Sequence, residues 1–207
     1  MWIELKKWSK EKIKGKVWEL FVPLLIAGIL TTLDTVKKER LANGHLSVTT
    51  YPLGIFFSFV GVGIASFMVK FVNDQEYSFS DIFSYGKDYV RIFLVNLLEI
   101  VYVCLYMLLF IVPGIIKAFG YAMVPLLLAD EKYKNLGYRD LLKKSEEMMN
   151  GSKEDFFVLC FSFIGWDILG ICTFGILFIW IMPYQSTAIY KFLSDLKKSK
   201  EAEISVA

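Results

Sequence analysis

The sequence combines a high hydrophobic content with a nearly neutral charge. Of its 207 residues, 56% are hydrophobic and 16% are aromatic, and the formal net charge is only +2. Disorder requires low hydrophobicity and is excluded, and a nucleic-acid-binding protein would carry a stronger basic excess. Because the apolar residues occur in long blocks, a single integral membrane domain over residues 1–207 is expected.

The N-terminal stretch, residues 1–16, is basic and carries six lysines. No small-residue cleavage site follows the apolar run after it, so a cleavable signal peptide is not expected. Trp2 and Trp8 suit a membrane interface, where an indole ring places an apolar body beside a polar edge. The pattern favours a cytosolic N-terminus ahead of the first membrane helix.

Six apolar blocks follow this stretch, and a membrane-spanning helix needs about 20 mostly apolar residues. The candidate spans are residues 17–33, 51–72, 89–112, 115–129, 155–172 and 176–192. They predict an all-α polytopic bundle of about six transmembrane helices with short interfacial amphipathic helices. The segment 115–129 is short and contains Pro125, so a half-spanning or kinked helix is one alternative. A single long bent helix made of the third and fourth blocks is another.

Loop charge favours the six-span arrangement, in which both termini share one side of the membrane. Seventeen Lys and Arg residues then lie on that side and three lie on the other. Because cytoplasmic loops carry the excess of basic residues, both termini are predicted to be cytosolic. A five-span arrangement would place basic loops on both faces and is disfavoured.

The predicted cytosolic loop 130–154 contains the clearest amphipathic pattern of the chain. Over residues 138–149, helical spacing places one apolar face opposite the charged residues; that face comprises Tyr138, Leu141, Leu142, Ser145, Met148 and Met149. A weaker pattern with Phe79, Ile82 and Phe83 lies in loop 73–88, and residues 193–207 form a predicted cytosolic tail. The pattern favours a helix lying on the bundle at the headgroups over a docking face for a partner.

Ionisable groups inside a membrane are costly and mark candidate sites. Glu99 and Asp167 each fall near the middle of a predicted span, and Asn96 lies one helical turn before Glu99. Lys117 follows a Pro-Gly pair that could bring it to the outer interface. The sequence predicts an intramembrane polar binding face made of Asn96, Glu99, Lys117 and Asp167. This face either lines a cavity for a substrate or proton, or joins neighbouring helices by hydrogen bonds.

The sequence shows no recognisable catalytic motif. It has one histidine, His45, and no HExxH, GxSxG, GxGxxG or Walker A pattern. Cys104, Cys160 and Cys172 lie in apolar blocks, where thiols usually act as small hydrophobic side chains. We therefore expect no enzymatic activity, no cofactor and no metal site.

The chain contains several short motifs: PGIIK at 113–117, Tyr121 followed by LLLADE, Ser145 with MMNG at 148–151, FSFIGW at 161–166, Gly175, and MPY at 182–184. Together they resemble a family of bacterial integral membrane proteins, domain-of-unknown-function family 975. The N-terminal IKGKVWELF is similar to the opening of that family. The resemblance implies a membrane-embedded fold in the bacterial plasma membrane. It implies no reaction and no catalytic residue.

Two functional hypotheses follow. The first is a non-enzymatic multi-pass membrane protein, accessory or immunity-type, that acts with a membrane partner. The second is a carrier of a small molecule, peptide or lipid, or the substrate-binding part of a transporter, with its polar site around Glu99. An intramembrane enzyme would rest on the carboxylates of Glu99 and Asp167 alone. Expected partners are the lipid bilayer and a membrane protein or a second copy of the chain, but no nucleic acid.

Overall fold

Helices make up most of the chain in the computed structural model, which describes residues 2–31, 34–40, 46–52, 57–109 and 111–206. The helices are α1 (Trp2–Lys12), α2 (Val17–Thr31), α3 (Ser58–Val72), α4 (Tyr89–Leu109), α5 (Ile111–Gly120), α6 (Val124–Ala129), α7 (Tyr138–Met149), α8 (Lys153–Phe161), α9 (Ile164–Cys172) and α10 (Phe178–Val206). Short 3-10 helices cover Phe79–Ile82, Ser84–Asp88 and Glu131–Tyr133. The prediction of a predominantly helical fold is confirmed.

A two-stranded antiparallel hairpin between α2 and α3 departs from the all-α prediction. Strand β1 (Asp34–Arg40) pairs with β2 (Leu46–Pro52), with Val36 opposite Thr50 and Lys38 opposite Val48. β2 contains three β-branched residues, which favour pleated structure, whereas β1 contains two together with five charged residues. The second candidate span was therefore wrong in its first residues, since Tyr51 belongs to β2 and the helix begins at Ser58.

The number of membrane spans is not confirmed by helix length. Two helical stretches are long and apolar enough to cross a membrane, by length and composition alone, namely Phe79–Leu108 and Lys153–Cys172. Three further apolar helices are shorter: Val17–Leu30, Ser58–Val72 and Pro113–Ala129. The six-span arrangement remains a prediction. The structure itself shows a mostly helical protein with several apolar helices.

The third and fourth apolar blocks form two helices rather than one bent helix. Helix α5 packs against α4, and a Cβ added at Gly114 would lie 2.9 Å from the Cα of Met107. Glycine is thus needed for this close approach. With ten residues, α5 is about 15 Å long, roughly half of a hydrocarbon core. A turn then leads into α6, where Pro125 occupies the first turn, so the predicted segment 115–129 is broken.

Later predicted segments differ from the structure mainly at their ends. The fifth block divides into α8 and α9 around residues 162–163, although the two together have the length of a span. Helix α10 begins near the sixth block and continues to Val206. Residues 193–206, predicted as a tail, therefore extend this helix and contribute buried Leu193 and Ser194 to the interior.

Helix α7 confirms the amphipathic pattern almost residue for residue. It runs from Tyr138 to Met149 and buries every residue of the predicted apolar face except Tyr138, which is exposed. Its buried face joins the largest core cluster together with Val95 of α4, Tyr121, and Leu127 of α6. The helix is thereby fixed against α4, α5, α6 and α10.

Large apolar side chains also remain exposed, and they concentrate on α2, α4, α5, α8, α9 and the start of α10. Leu108 is 86% exposed and Ile171 is 70% exposed, and Phe174, in the turn between α9 and α10, is 98% exposed. The ion pairs found among the described residues instead involve residues 12, 70–88, 117, 130–147 and 191–203. The molecule therefore has an apolar region and a charged region.

Candidate functional site

A cleft of about 230 Å³ lies where α4, α5 and α7 meet. We call it the cationic cleft, and it is lined by Tyr102, Tyr106, Lys117, Tyr121, Arg139, Leu142 and Lys143. Three of these residues are cations and three are tyrosines, so the lining is both charged and aromatic. This composition favours a ligand with negative charge.

Local helix geometry explains how the lining side chains come together. Tyr102 and Tyr106 are four residues apart on α4, and Arg139 and Lys143 are four residues apart on α7. Residues at this spacing lie on the same face of a helix. Leu142 is buried and anchors α7 against the bundle. Arg139 and Lys143 therefore lie on a helix that is held against the core.

Only one of the three cations is paired within the described part of the chain. The Lys117 ammonium lies 2.5 Å from a Glu146 carboxylate oxygen of α7. The same ammonium lies 4.7 Å from the ring centroid of Tyr106 and 5.9 Å from that of Tyr121. No carboxylate among the described residues forms an ion pair with Arg139 or Lys143, which leaves the cleft with an excess of positive charge.

The structure places the four predicted site residues in different surroundings. Lys117 lines the cationic cleft, whereas Glu99 is half-buried on α4 and does not line it. Asn96 donates a hydrogen bond to the Ile92 carbonyl oxygen of its own helix, at 2.9 Å. Asp167 is half-buried on α9, a helix that packs against α10.

Of the four residues, only Lys117 lines the cationic cleft, while Asn96 is engaged within α4 and Asp167 belongs to another helix pair. Because Lys117 pairs with Glu146, it adjoins the amphipathic helix α7. The binding role assigned to the four residues from the sequence stays a prediction.

A second cleft, of about 430 Å³, lies between α3, α6 and α10, and we call it the base cleft. Its two lysines are both paired: Lys197 with Asp130 at 2.5 Å, and Lys70 with Asp81 at 3.0 Å. Tyr85 donates hydrogen bonds to Ser66 Oγ at 3.1 Å or the Ala129 carbonyl oxygen at 3.0 Å. These contacts join segments that are distant in the sequence.

The Asp130 carboxylate is the centre of this network. Partial burial acts to raise the pKa of Asp130, but hydrogen bonds from the Lys197 ammonium and the Lys132 amide outweigh it and lower the pKa below its usual value. Next to it, burial and a 2.6 Å hydrogen bond to Glu201 raise the pKa of the Tyr133 hydroxyl. At neutral pH the lowered pKa keeps Asp130 ionised beside Lys197, and the raised pKa keeps Tyr133 protonated as a donor to Glu201.

Sequence reasoning missed five of the six polar residues of the cationic cleft: Tyr102, Tyr106, Tyr121, Arg139 and Lys143. A signal existed in the spacing of Arg139 and Lys143, but charges on an amphipathic helix usually face water. Within the part of the chain that the structure describes, no group of three His, Cys, Asp or Glu residues could hold a metal ion.

The fold and the two clefts define a class of protein: a mostly helical chain with exposed apolar helices and a charged region around α7 and the end of α10. Residues 100–200 match the family described as protein of unknown function (DUF975). This match confirms the family resemblance seen in the motifs, over just under half of the chain. The matched region contains the whole cationic cleft.

No curated protein and no solved structure matches the chain.

Proposed function

We propose that the protein is a non-enzymatic multi-pass membrane protein that acts by binding, as an accessory to a membrane partner. The observation that carries this proposal is the separation of the surface into two regions. Apolar side chains as large as Trp18, Leu108 and Phe174 are exposed on several helices, and water would penalise such a surface whereas lipid would not.

The interior supports binding rather than transport through the bundle. Phe67, Met68, Met123 and Leu127 are fully buried in continuous core clusters. Asn96 and Glu99 line neither the cationic cleft nor the base cleft. Continuous core clusters together with two charged surface clefts support the accessory role over a carrier.

The membrane arrangement is tested by single cysteines labelled from outside the cell with an impermeant maleimide. In a background where Cys104, Cys160 and Cys172 are replaced by Ala, cysteines at Lys14, Lys87, Lys134 or Lys198 should label only after the membrane is opened. A cysteine at His45 should label in intact cells. External labelling at Lys134 or Lys198 would contradict the proposed topology.

The partner is tested by native mass spectrometry of the protein extracted gently from its own membrane. A second protein at fixed stoichiometry is expected for the accessory role. Retention of a small organic molecule without any protein, and its loss in Glu99→Gln, would instead favour the carrier. That second candidate is supported by Glu99 itself, a half-buried carboxylate within the apolar helix α4.

A further inference from the structure

We propose that the cationic cleft binds the phosphate group of an anionic phospholipid. The first step of the argument is charge. Arg139 and Lys143 have no ion-pair partner among the described residues, and Lys117 shares its charge with one carboxylate, that of Glu146. Unpaired cations that converge on one concave site favour a bound anion, since a guanidinium and an ammonium both hold phosphate oxygens well.

The second step is the shape of the site. The cleft has a volume of about 230 Å³, several times the roughly 30 Å³ share of a water molecule in the liquid. A phosphate group with some bound water fits this space. Tyr102, Tyr106 and Tyr121 line the same space, and a tyrosine hydroxyl can donate a hydrogen bond to a phosphate oxygen.

The third step is the surface around the cleft. Leu105 and Leu108 of α4 and Ile115 and Ile116 of α5 are exposed on the two helices that form its walls. An acyl chain can follow such apolar side chains, whereas a free inorganic anion gains nothing from them. A charged cleft beside an apolar surface therefore fits an amphipathic ligand, and basic pockets between membrane helices are known to hold anionic lipid headgroups.

The inference rests on the proposed membrane location, but its test does not use the topology. Purified full-length protein in neutral detergent is mixed with equal amounts of phosphatidylglycerol and phosphatidylcholine, and bound lipid is counted by native mass spectrometry. We expect phosphatidylglycerol to be preferred about tenfold. The double variant Arg139→Gln/Lys143→Gln should reduce the preference to about twofold or less.

The matched control is Lys14→Gln/Lys87→Gln, which removes the same charge at two exposed lysines outside the cleft. It should retain the tenfold preference. An equal loss in this control would show general attraction to a basic protein and would overturn the site. An unchanged preference in the cleft variant would overturn it as well.

Competition with inorganic phosphate distinguishes a phospholipid headgroup from a free phosphate ion as the ligand of the cleft. If the phospholipid is the ligand, 10-fold molar excess of inorganic phosphate over phosphatidylglycerol should leave the bound lipid unchanged. Displacement of the lipid by phosphate would overturn the proposal in favour of a free anion. If the double variant does not fold, Lys143→Gln and its control Lys87→Gln carry the same comparison, with about a threefold loss expected.

The two proposals fail separately. Contrary maleimide labelling alone contradicts the membrane topology, because lipid binding in detergent is measured independently of it. Correct labelling together with an unchanged lipid preference in the cleft variant contradicts the phosphate site alone.

Discussion

The base cleft and the cationic cleft use similar residues for different purposes. In the base cleft, Lys70 of α3 pairs with Asp81 of the 3-10 helix Phe79–Ile82, and Lys197 of α10 pairs with Asp130 at the end of α6. In the cationic cleft, only Lys117 is paired, and Arg139 and Lys143 remain without a carboxylate. Charge balance thus distinguishes a network that holds helices together from a site that is completed by a ligand.

This difference has an energetic basis. A partly buried ion pair is destabilising to break, because the remaining charge keeps its desolvation penalty without its partner. Two exposed cations four residues apart on one helix repel each other slightly. Substitutions in the base cleft should therefore lower stability, while those in the cationic cleft should change binding and leave stability nearly unaffected.

The largest effect is expected for Gly63→Ala, which pushes α3 away from the short helix that carries Asp81. A Cβ at Gly63 would lie 1.9 Å from the Ile82 carbonyl oxygen, so the backbone must move. We expect a loss of about 3 kcal/mol in the free energy of unfolding, measured by denaturation in detergent. Gly61→Ala has open space around its Cβ and is the control; it should be neutral or stabilising by up to about 1 kcal/mol.

A smaller loss, about 2 kcal/mol, is expected for Asp130→Asn, which leaves the Lys197 ammonium without its carboxylate. The same denaturation assay measures it. Glu203→Gln breaks the exposed pair of Glu203 with Lys200 and should change stability by less than about 0.5 kcal/mol. Equal losses in the two variants would show that the Asp130–Lys197 ion pair contributes no more to stability than an exposed ion pair does.

The pH dependence of stability sharpens this prediction. The pKa of Asp130 is lower in the folded protein than in the unfolded chain, so its contribution is present above about pH 4. Protonation removes that contribution as the pH falls through the folded-state value. The stability of the unmodified protein should therefore decline more steeply on acidification than that of Asp130→Asn, and parallel curves would contradict the assignment.

The smallest effect on stability is expected for Arg139→Gln/Lys143→Gln in the absence of lipid. Removing two neighbouring like charges should leave the free energy of unfolding within about 0.5 kcal/mol of its original value, or raise it slightly. Added phosphatidylglycerol should then raise the melting temperature of the unmodified protein more than that of the variant. A loss above about 1 kcal/mol without lipid would indicate a structural role for these cations.

Local patterns predicted individual elements well. The 3.6-residue spacing of Leu141, Ser145 and Met148 was sufficient for α7, because an amphipathic helix is encoded within one continuous segment. The bounds of α4 were nearly right for the same reason. The hairpin of β1 and β2 was missed, since β1 is mostly charged and the three β-branched residues of β2 carry a weak and context-dependent signal.

The sites were less predictable than the elements. Glu99 and Asp167 were chosen because each interrupts an apolar block, and this reasoning treats each helix separately. It did not identify the ion-pair partner of Lys117: the sequence allowed Lys117 to reach an outer interface or to join neighbouring helices, whereas the structure pairs it with Glu146 of α7. Glu146 itself had the appearance of a solvated charge on a helix surface.

The sequence by itself determined the helical character of this protein, its apolar exterior and its family resemblance, because hydropathy and short motifs are properties of contiguous residues. The tertiary structure decided which charges are paired. Tyr102 and Arg139 are far apart in the chain and meet only because α5 packs against α4 and the buried face of α7 packs against both. Electrostatic energy depends on distance in space and on burial, so the difference between a structural ion pair and an open cationic cleft appears only after the helices are assembled.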